Sequence, residues 1–499
     1  MRKVLAVILL SIVTLTVSCR KEMKFSSDAS KNITLSTDTI AFDTVFSSIG
    51  SSTRVLMIYN NNSDNLKINS IRLERGNSSP YSINVDGQPG HVFYDKEIYA
   101  KDSLYVFIKV TIDPNKEHSP FVEDKLIFNT NGNESVVKLC AYGLDAHYII
   151  GRKGIFPDAN GHYTNYYVAI TNDTLQDVHW TAEKPYVIYN VALIDSDGTL
   201  TIEPGTHVYF HQGSGLWAWS EGQLIVDGTA ANPVVFQGDR LEPYYADQPG
   251  QWDRIWLMEA REGHGHRINH AIIRNGFIGL QVQRMLKDGF EIGTPLPPAE
   301  PIYISNTIIE NHTGMGIYSN CYRIGMSNTL VNNCGNYCVA LTGGGEFMFT
   351  HSTIANYWTG TTRKTEALFF NNLYKDPTDG NTYAEPFVCD IINSIVYGNK
   401  SNEFGTDFHP VPDTLYKFKN CLVRTTRPHG NESIYESCVF NKSPKFKNSS
   451  DFDFHIDTLS AAKGIGNPCY AIGDLQYDLD GVDRGHEPDA GAYQHVIPE

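Results

Sequence analysis

The side chains best suited to chemistry in this 499-residue chain are two arginines, a trio of aspartates, a few histidines and a scatter of cysteines and tryptophans. Arg274 and Arg323 lie on or beside short predicted strands. Charged, such a side chain can meet an anionic group; with a tuned pKa, its neutral form can act as the base that takes a proton from carbon beside a carboxylate. Asp478, Asp480 and Asp483 surround Gly481 and offer oxygen ligands of the kind Ca2+ takes. The simpler reading of that turn is that its carboxylates and Arg484 lock the last structural repeat by charge-assisted hydrogen bonds. No cofactor is required by any pattern in the chain, and calcium is the ion its residues suggest. His264, His266 and His270 invite a metal, but His270 falls inside Ile268-Asn269-His270-Ala271-Ile272-Ile273, which reads as packing. Cys334 and Cys338 lack the second pair that a zinc site needs. Trp217, Trp219, Trp252 and Trp256 offer a platform for sugar rings or, more simply, core.

These residues must be carried by strands. The chain is 41% hydrophobic, which excludes wholesale disorder, and its net charge of −16 excludes a nucleic-acid partner. The same acidity fits poorly with a direct grip on strongly acidic polysaccharides. From 33 to 145, short alternating runs such as Arg54 to Tyr59, Ser103 to Val110 and Lys125 to Phe128 alternate with turn signals at Asn60 to Asn65 and Asn129 to Asn133. That spacing predicts a β-sandwich of roughly seven strands. After a linker at 146–165 the character changes. Leu200-Thr201-Ile202-Glu203-Pro204-Gly205-Thr206 begins a rhythm of strand, turn and strand, and explicit repeats follow. Asn306-Thr307-Ile308-Ile309-Glu310-Asn311 recurs 22 residues later as Asn328-Thr329-Leu330-Val331-Asn332-Asn333. It returns at Ser352-Thr353-Ile354, Asn393-Ser394-Ile395, Asn420-Cys421-Leu422 and Ser437-Cys438-Val439.

One β unit per repeat marks a solenoid, because a single winding cannot bury its own apolar face and a stack can. The alignment predicts an inward column of Ile308, Leu330, Ile354, Ile395, Leu422 and Val439, with asparagine ladders at the turns. Excursions are expected at 242–251, 283–301 and 360–388. Cys421 and Cys438 occupy the same place in successive windings, close enough for a disulfide; a ladder of free thiols satisfies the spacing equally. The fold class is therefore all-β: an N-terminal sandwich, then a parallel solenoid over 166–495.

Several segments resemble known families. Arg2 and Lys3 precede an apolar run from Val4 to Val17, too short to span a bilayer, and then Ser18-Cys19. This resembles the bacterial lipobox, with Thr16 where Leu is usual. The resemblance implies a signal peptide at 1–18, acylation of Cys19, a lipidated tether at 19–32 and attachment to the cell outer membrane. An ordinary cleaved signal that contains a cysteine is the alternative. The segment 33–145, closing on Val136 to Gly143, resembles the immunoglobulin-like modules of large envelope and cilium-associated proteins. Asp478 to Arg484 and Pro488-Asp489-Ala490-Gly491-Ala492-Tyr493, with Pro444-Lys445-Phe446 and Ala461 to Gly464 upstream, resemble the end of choice-of-anchor Q and related alginate- and chondroitin-lyase-like chains. That likeness covers about 170 to 495 and implies a right-handed parallel β-helix of the pectate-lyase-like type. Asp-Ser/Thr-apolar triplets around Thr39, Thr44, Ser103, Thr174, Thr414 and Thr458 resemble the O-glycosylation acceptors of exported Bacteroidetes proteins. Locally favoured strand starts explain some of the same triplets.

Two enzyme classes use the β-helix that the resemblance implies. Hydrolases of the polygalacturonase type need clustered aspartates, and the chain has neither Asn-Thr-Asp nor Asp-Asp. Its Gly263-His264-Gly265 is followed at once by Arg267-Ile268-Asn269. Lyases need a tuned base, and no lysine stands where the alginate and chondroitin enzymes carry theirs, which leaves Arg274 and Arg323. The sequence therefore favours an anchored, non-catalytic protein that binds a glycan or an envelope protein, pictured as an accessory subunit of an outer-membrane complex, over a polysaccharide lyase or glycoside hydrolase.

Overall fold

Short runs rich in Val, Ile, Tyr and Phe, cut by Asn, Asp or Gly, give strands throughout and no α-helix among the described residues. The computed structural model describes residues 24–117, 119–153, 166–170, 177–284, 300–375, 382–410, 414–426 and 433–495. The expected signal segment, Cys19 and Thr174 lie outside the described residues. Among those residues no helix is long and apolar enough to cross a membrane. The chain divides into two compact units, Met1–Asp145 and Ala146–Glu499.

In the first unit, a six-stranded and a five-stranded sheet share one apolar core. Alternation along Arg54–Tyr59, Ser103–Val110 and Phe121–Thr130 sends Leu56, Ile58, Val106, Ile108, Leu126 and Phe128 into it. Phe25–Ser26 pairs in parallel with Asn65 and Leu66, so this sheet already includes part of the stretch 19–32 expected to be a tether.

The second unit is a parallel stack of windings with three strand faces. The first face is an 11-stranded ladder that runs from His147–Ile150 through Tyr186–Tyr189 to Val439–Phe440. The 18-stranded sheet supplies the other two. Val191–Ile194 pairs with Gly215–Ala218 on the second face, and Thr199–Ile202 with Gln223–Asp227 on the third. Because His147–Ile150 is already a paired strand, the stack begins inside the expected linker 146–165. The expected 360–388 insertion is also smaller than it reads. Leu368–Asn371 is a strand of the second face, and the excursion is the hairpin of Leu373–Lys375 with Thr382–Ala384.

The repeated Asn-Thr pair has a conformational cause. Where the third face turns into the first, the corner residue adopts left-handed backbone: Asn306 (φ 50), Asn328 (φ 50), His351 (φ 49), Asn393 (φ 48), Asn420 (φ 55) and Ser437 (φ 52). Asparagine tolerates that region better than most side chains. The next residue returns a hydrogen bond to the carbonyl two positions back. Thr307 donates to Ser305 O at 2.7 Å, Thr329 to Ser327 O at 2.8 Å, and Ser394 to Ile392 O at 2.7 Å. Cys421 and Cys438 stand in the same row as free thiols, donating to Lys419 O at 3.2 Å and Glu436 O at 3.4 Å.

The apolar column differs from expectation. Ile308, Leu330, Thr353, Ile395, Leu422 and Val439 are in register, but Thr353 replaces Ile354 and the column points outward. The interior takes the next residue each time: Ile309, Val331, Ile354, Val396, Val423 and Phe440. Two adjacent apolar residues per strand signal burial on both faces, so alternation gives no direction. The outer column is covered by the C-terminal tail, whose Ile456, Ala462 and Ala490 pack on Ile395 and Leu422, while Phe454, Ala492 and Tyr493 pack on Leu330.

The tail docks by polar contacts as well. Asn393 exchanges bonds with Asn467 at 2.8 and 2.9 Å, and Asn420 donates to Ile465 O at 3.0 Å. Ala492 N donates to Thr353 Oγ1 at 2.9 Å. Gly491 has φ +105, and a Cβ there would lie 2.7 Å from Thr353 Oγ1 and 2.8 Å from Ile395 Cδ1. Gly491→Val therefore combines a strained backbone with a clash. It is expected to release the tail, read as new protease cleavage between 441 and 495 while the preceding windings stay protected.

Two other devices hold the stack. Arg363 forks onto Glu403 at 2.6 and 2.7 Å, with side-chain exposures of 2% and 0%. Arg363→Met strands a buried carboxylate and should cost about 3 kcal/mol or more in denaturant unfolding. Arg363→Met with Glu403→Gln is expected to recover part of that loss. His266 accepts Leu224 N–H at Nδ1 and donates from Nε2 to Met258 O. His312 accepts Gly276 N–H and donates to Ile273 O. Burial pulls both imidazoles down to about 4. The unfolded chain takes up protons near pH 6.5 that the folded chain refuses until about 4, so stability falls as pH falls through that window. Urea midpoints measured from pH 7 to pH 4.5 should drop, and should drop less steeply in His312→Gln.

Candidate functional site

The third face carries a broad concavity. Its strands alternate strictly, so Val226, Ile268, Ile304, Met326, Phe349 and Ile391 enter the core while their neighbours face outward. One outward row reads Arg267, Tyr303, Gly325, Met348 and Asp390, and the parallel row reads Asp227, Asn269, Ser305, Ser327 and Thr350. These rows floor a groove of about 1330 Å³, whose opposite wall is the tail segment carrying Asp474, Leu475, Tyr477 and Leu479. Asn328 fixes that wall by donating to Tyr477 O at 3.0 Å. Arg484 is buried beneath it, bonded to Asn328 Oδ1 at 2.6 Å and Ala492 O at 3.2 Å. Burial lowers its guanidinium to about 10, against the opposing pull of Asp478 and Asp489.

The floor combines apolar rings with balanced charge. Tyr303 is 58% exposed and Met348 56%, high values for side chains at the bottom of a concavity. Tyr303 lies down because its neighbour is glycine: a Cβ on Gly325 would sit 2.8 Å from Tyr303 Cδ1. Both arginines that line the groove have a carboxylate partner, and Asp390 is itself engaged from outside the lining. Arg267 meets Asp227 at 3.2 Å, Arg323 meets Glu346 at 2.9 Å, and Lys419 meets Asp390 at 3.2 Å. A flat ring, hydroxyl-bearing neighbours and paired charges can stack on and hydrogen-bond an uncharged, hydroxyl-rich ligand.

The residues singled out from sequence are dispersed. Arg323 is in the groove, but Arg274 lies on the first face, donating to Gln237 Oε1 at 3.0 Å and in register with Glu310. The two arginines do not converge. Burial raises the Glu310 carboxyl. Asp478 accepts backbone N–H groups from Asp480, Val482 and Gln494, at 2.9, 2.8 and 2.7 Å. Asp480 accepts from His455 at 2.6 Å, and Asp483 accepts from Gly485 N at 2.8 Å. The three carboxylates are thus turned to separate partners, and no group of three His, Cys, Asp or Glu among the described residues is placed to hold a metal.

His264 is exposed, His266 is in the core and His270 occupies a left-handed corner (φ 47), so they share no site. Trp252 is buried against Phe210, with ring centroids 4.3 Å apart. Trp217 and Trp256 stand side by side on the second face. Thr39, Ser103 and Thr414 open the strands Thr39–Phe46, Ser103–Val110 and Thr414–Lys419; Thr44 lies within the first of these and Thr458 in a turn. Sequence reasoning missed Tyr303, Gly325, Met348 and Tyr477. The alternation in Ile302-Tyr303-Ile304 does expose Tyr303, but its approach to Gly325 depends on a register between windings that no local pattern displays.

No family model and no curated protein matches the chain. Among solved structures, a protein of unknown function from Porphyromonas gingivalis W83 is 14% identical, with a TM-score of 0.18, over 22% of this chain and 46% of that one. The chain thus spans less than half of that protein's length. The seventh PapD-like domain of human CEP192 is 12% identical with a TM-score of 0.17, over 26% of this chain and 97% of that one. The catalytic unit of a GH87 α-1,3-glucanase from Streptomyces thermodiastaticus is 10% identical with a TM-score of 0.21, over 74% of this chain and 78% of that one. Similarity at this level assigns neither a family nor an activity to the chain.

Proposed function

We propose that this protein is a lipid-anchored glycan-binding protein of the outer membrane, in which Cys19 carries the acyl chains and the third-face groove holds a neutral polysaccharide. The first unit is then an immunoglobulin-like β-sandwich, supported by its two sheets around one core, and the second a right-handed parallel β-helix, supported by its three parallel ladders. The observation that carries the binding role is the exposed Tyr303 ring lying over Gly325 on a groove floor whose two arginines, Arg267 and Arg323, are each paired with a carboxylate. An anionic polymer would have to compete with Asp227 and Glu346 for Arg267 and Arg323, whereas a hydroxyl-rich neutral chain leaves both pairs intact.

Affinity electrophoresis of the full chain through gels loaded with neutral and uronate-containing polysaccharides tests this reading. At least one neutral polymer should retard the protein, and Tyr303→Ala should weaken that retardation about tenfold without changing the thermal midpoint. Unsaturated product absorbance from a uronate polymer, lost in Arg323→Ala, would establish a polysaccharide lyase instead. Retardation by no neutral polymer would also reject the proposal.

A further inference from the structure

The cross-section of the third-face groove repeats from one winding to the next. Its centre line is Arg267, Tyr303, Gly325, Met348 and Asp390, consecutive partners across the windings. Two residues further along the strands, Asn269, Ser305 and Ser327 run beside it in the same register. Two residues before it, Arg323 and Glu346 form the other flank. Each flank is about 7 Å from the centre line, because a strand advances by about 3.4 Å per residue. All of these side chains line the concavity.

Between Tyr303 and Met348 the centre line is apolar and flat. The Tyr303 ring fills the space over Gly325, and the exposed Met348 continues the surface in the following winding. Both edges of this strip are polar. Ser305 donates to Asn269 Oδ1 at 2.9 Å, which leaves the lone pairs of its own oxygen to accept. On the opposite edge Arg323 meets Glu346 at 2.9 Å, and the Glu346 side chain, 58% exposed, has carboxylate lone pairs left for hydroxyl donors. Charge enters the centre line only at its two ends, at Arg267 and Asp390.

A straight apolar strip with hydrogen-bonding edges discriminates among neutral glycans by linkage. A β-1,4-linked chain with equatorial substituents extends as a ribbon: its ring faces carry C–H groups and its hydroxyls stay along the two edges. A β-1,3 or α-1,4 chain coils, and so turns hydroxyls onto the strip every few rings. The extended ribbon also advances by nearly one winding step per ring, the step between paired strands being about 4.8 Å. The five windings of the centre line span about 19 Å, room for about five rings.

We infer, building on the glycan-binding reading of the groove, that its ligand is a β-1,4-linked neutral chain lying along the stack axis, with one sugar ring per winding and ring faces stacked on Tyr303 and Met348.

Calorimetric titration of the full chain with cellopentaose, xylopentaose, chitopentaose, laminaripentaose and maltopentaose tests the inference. One of the first three should bind at least tenfold tighter than either of the last two. Within its series the affinity should climb from triose to pentaose and change less than about threefold at the hexaose. Met348→Ser should weaken binding about tenfold, and Met348→Leu, which keeps an apolar chain at this exposed position, should weaken it less. Equal or tighter binding of laminaripentaose or maltopentaose, lost in Tyr303→Ala, would overturn the ribbon and leave the neutral groove standing. A β-1,4-linked pentaose that binds tightly but ignores Met348→Ser would overturn the inference too. If none of the five binds while a neutral polymer still retards the protein, the ribbon falls alone; if no neutral polymer does, both readings fall.

Discussion

Everything on the outer surface of the second unit is placed by the left-handed corner between the third and first faces. A strand side chain faces in or out according to parity, and a shift of one residue at a corner would invert the whole winding that follows. Asn306, Asn328, Asn393 and Asn420 hold that corner with φ near 50, and the hydroxyl or thiol that follows ties it to the strand just finished. The rows that floor the groove exist because this corner recurs in step. Tyr303 reaches Gly325 only because both lie the same distance before their corners, at Asn306 and Asn328.

The same corner explains what could be read from the sequence. Asn-Thr followed by two apolar residues recurs because one position needs a side chain that accepts positive φ and the next needs a hydroxyl. Both demands are local and therefore visible. Which of the two apolar residues faces inward is not local. Ile308-Ile309, Leu330-Val331 and Leu422-Val423 are each buried on both sides, and the partner of the outer side arrives more than a hundred residues later for the first two. The inward column therefore lies one residue further on at five of its six positions, and the alignment of the segments matches the register at all but the third, where Thr353 stands in place of Ile354.

The candidate site was less legible than the fold for a related reason. Arg323 is recognisable as a charged residue on a strand, but its partner Glu346 is set by pairing between windings. The acidic turn at Asp478 resembles a metal loop in composition, and only the structure shows its oxygens committed to the backbone of Asp480, Val482 and Gln494. The segment so built is a wall of the groove, so residues that read as a terminal lock also shape the concavity.

The docked tail alters how the stack resists disorder. A solenoid in which each repeat touches only its neighbours loses structure piecemeal, with ends fraying first. Here residues 465 to 492 bridge windings at Asn328, Thr353, Asn393 and Asn420, so the later windings are cross-braced and must open together. The earlier windings, from His147 to about Asn275, have no such brace among these contacts. Amide exchange should accordingly divide the second unit into a cooperative block around the groove and a looser block that carries Trp217.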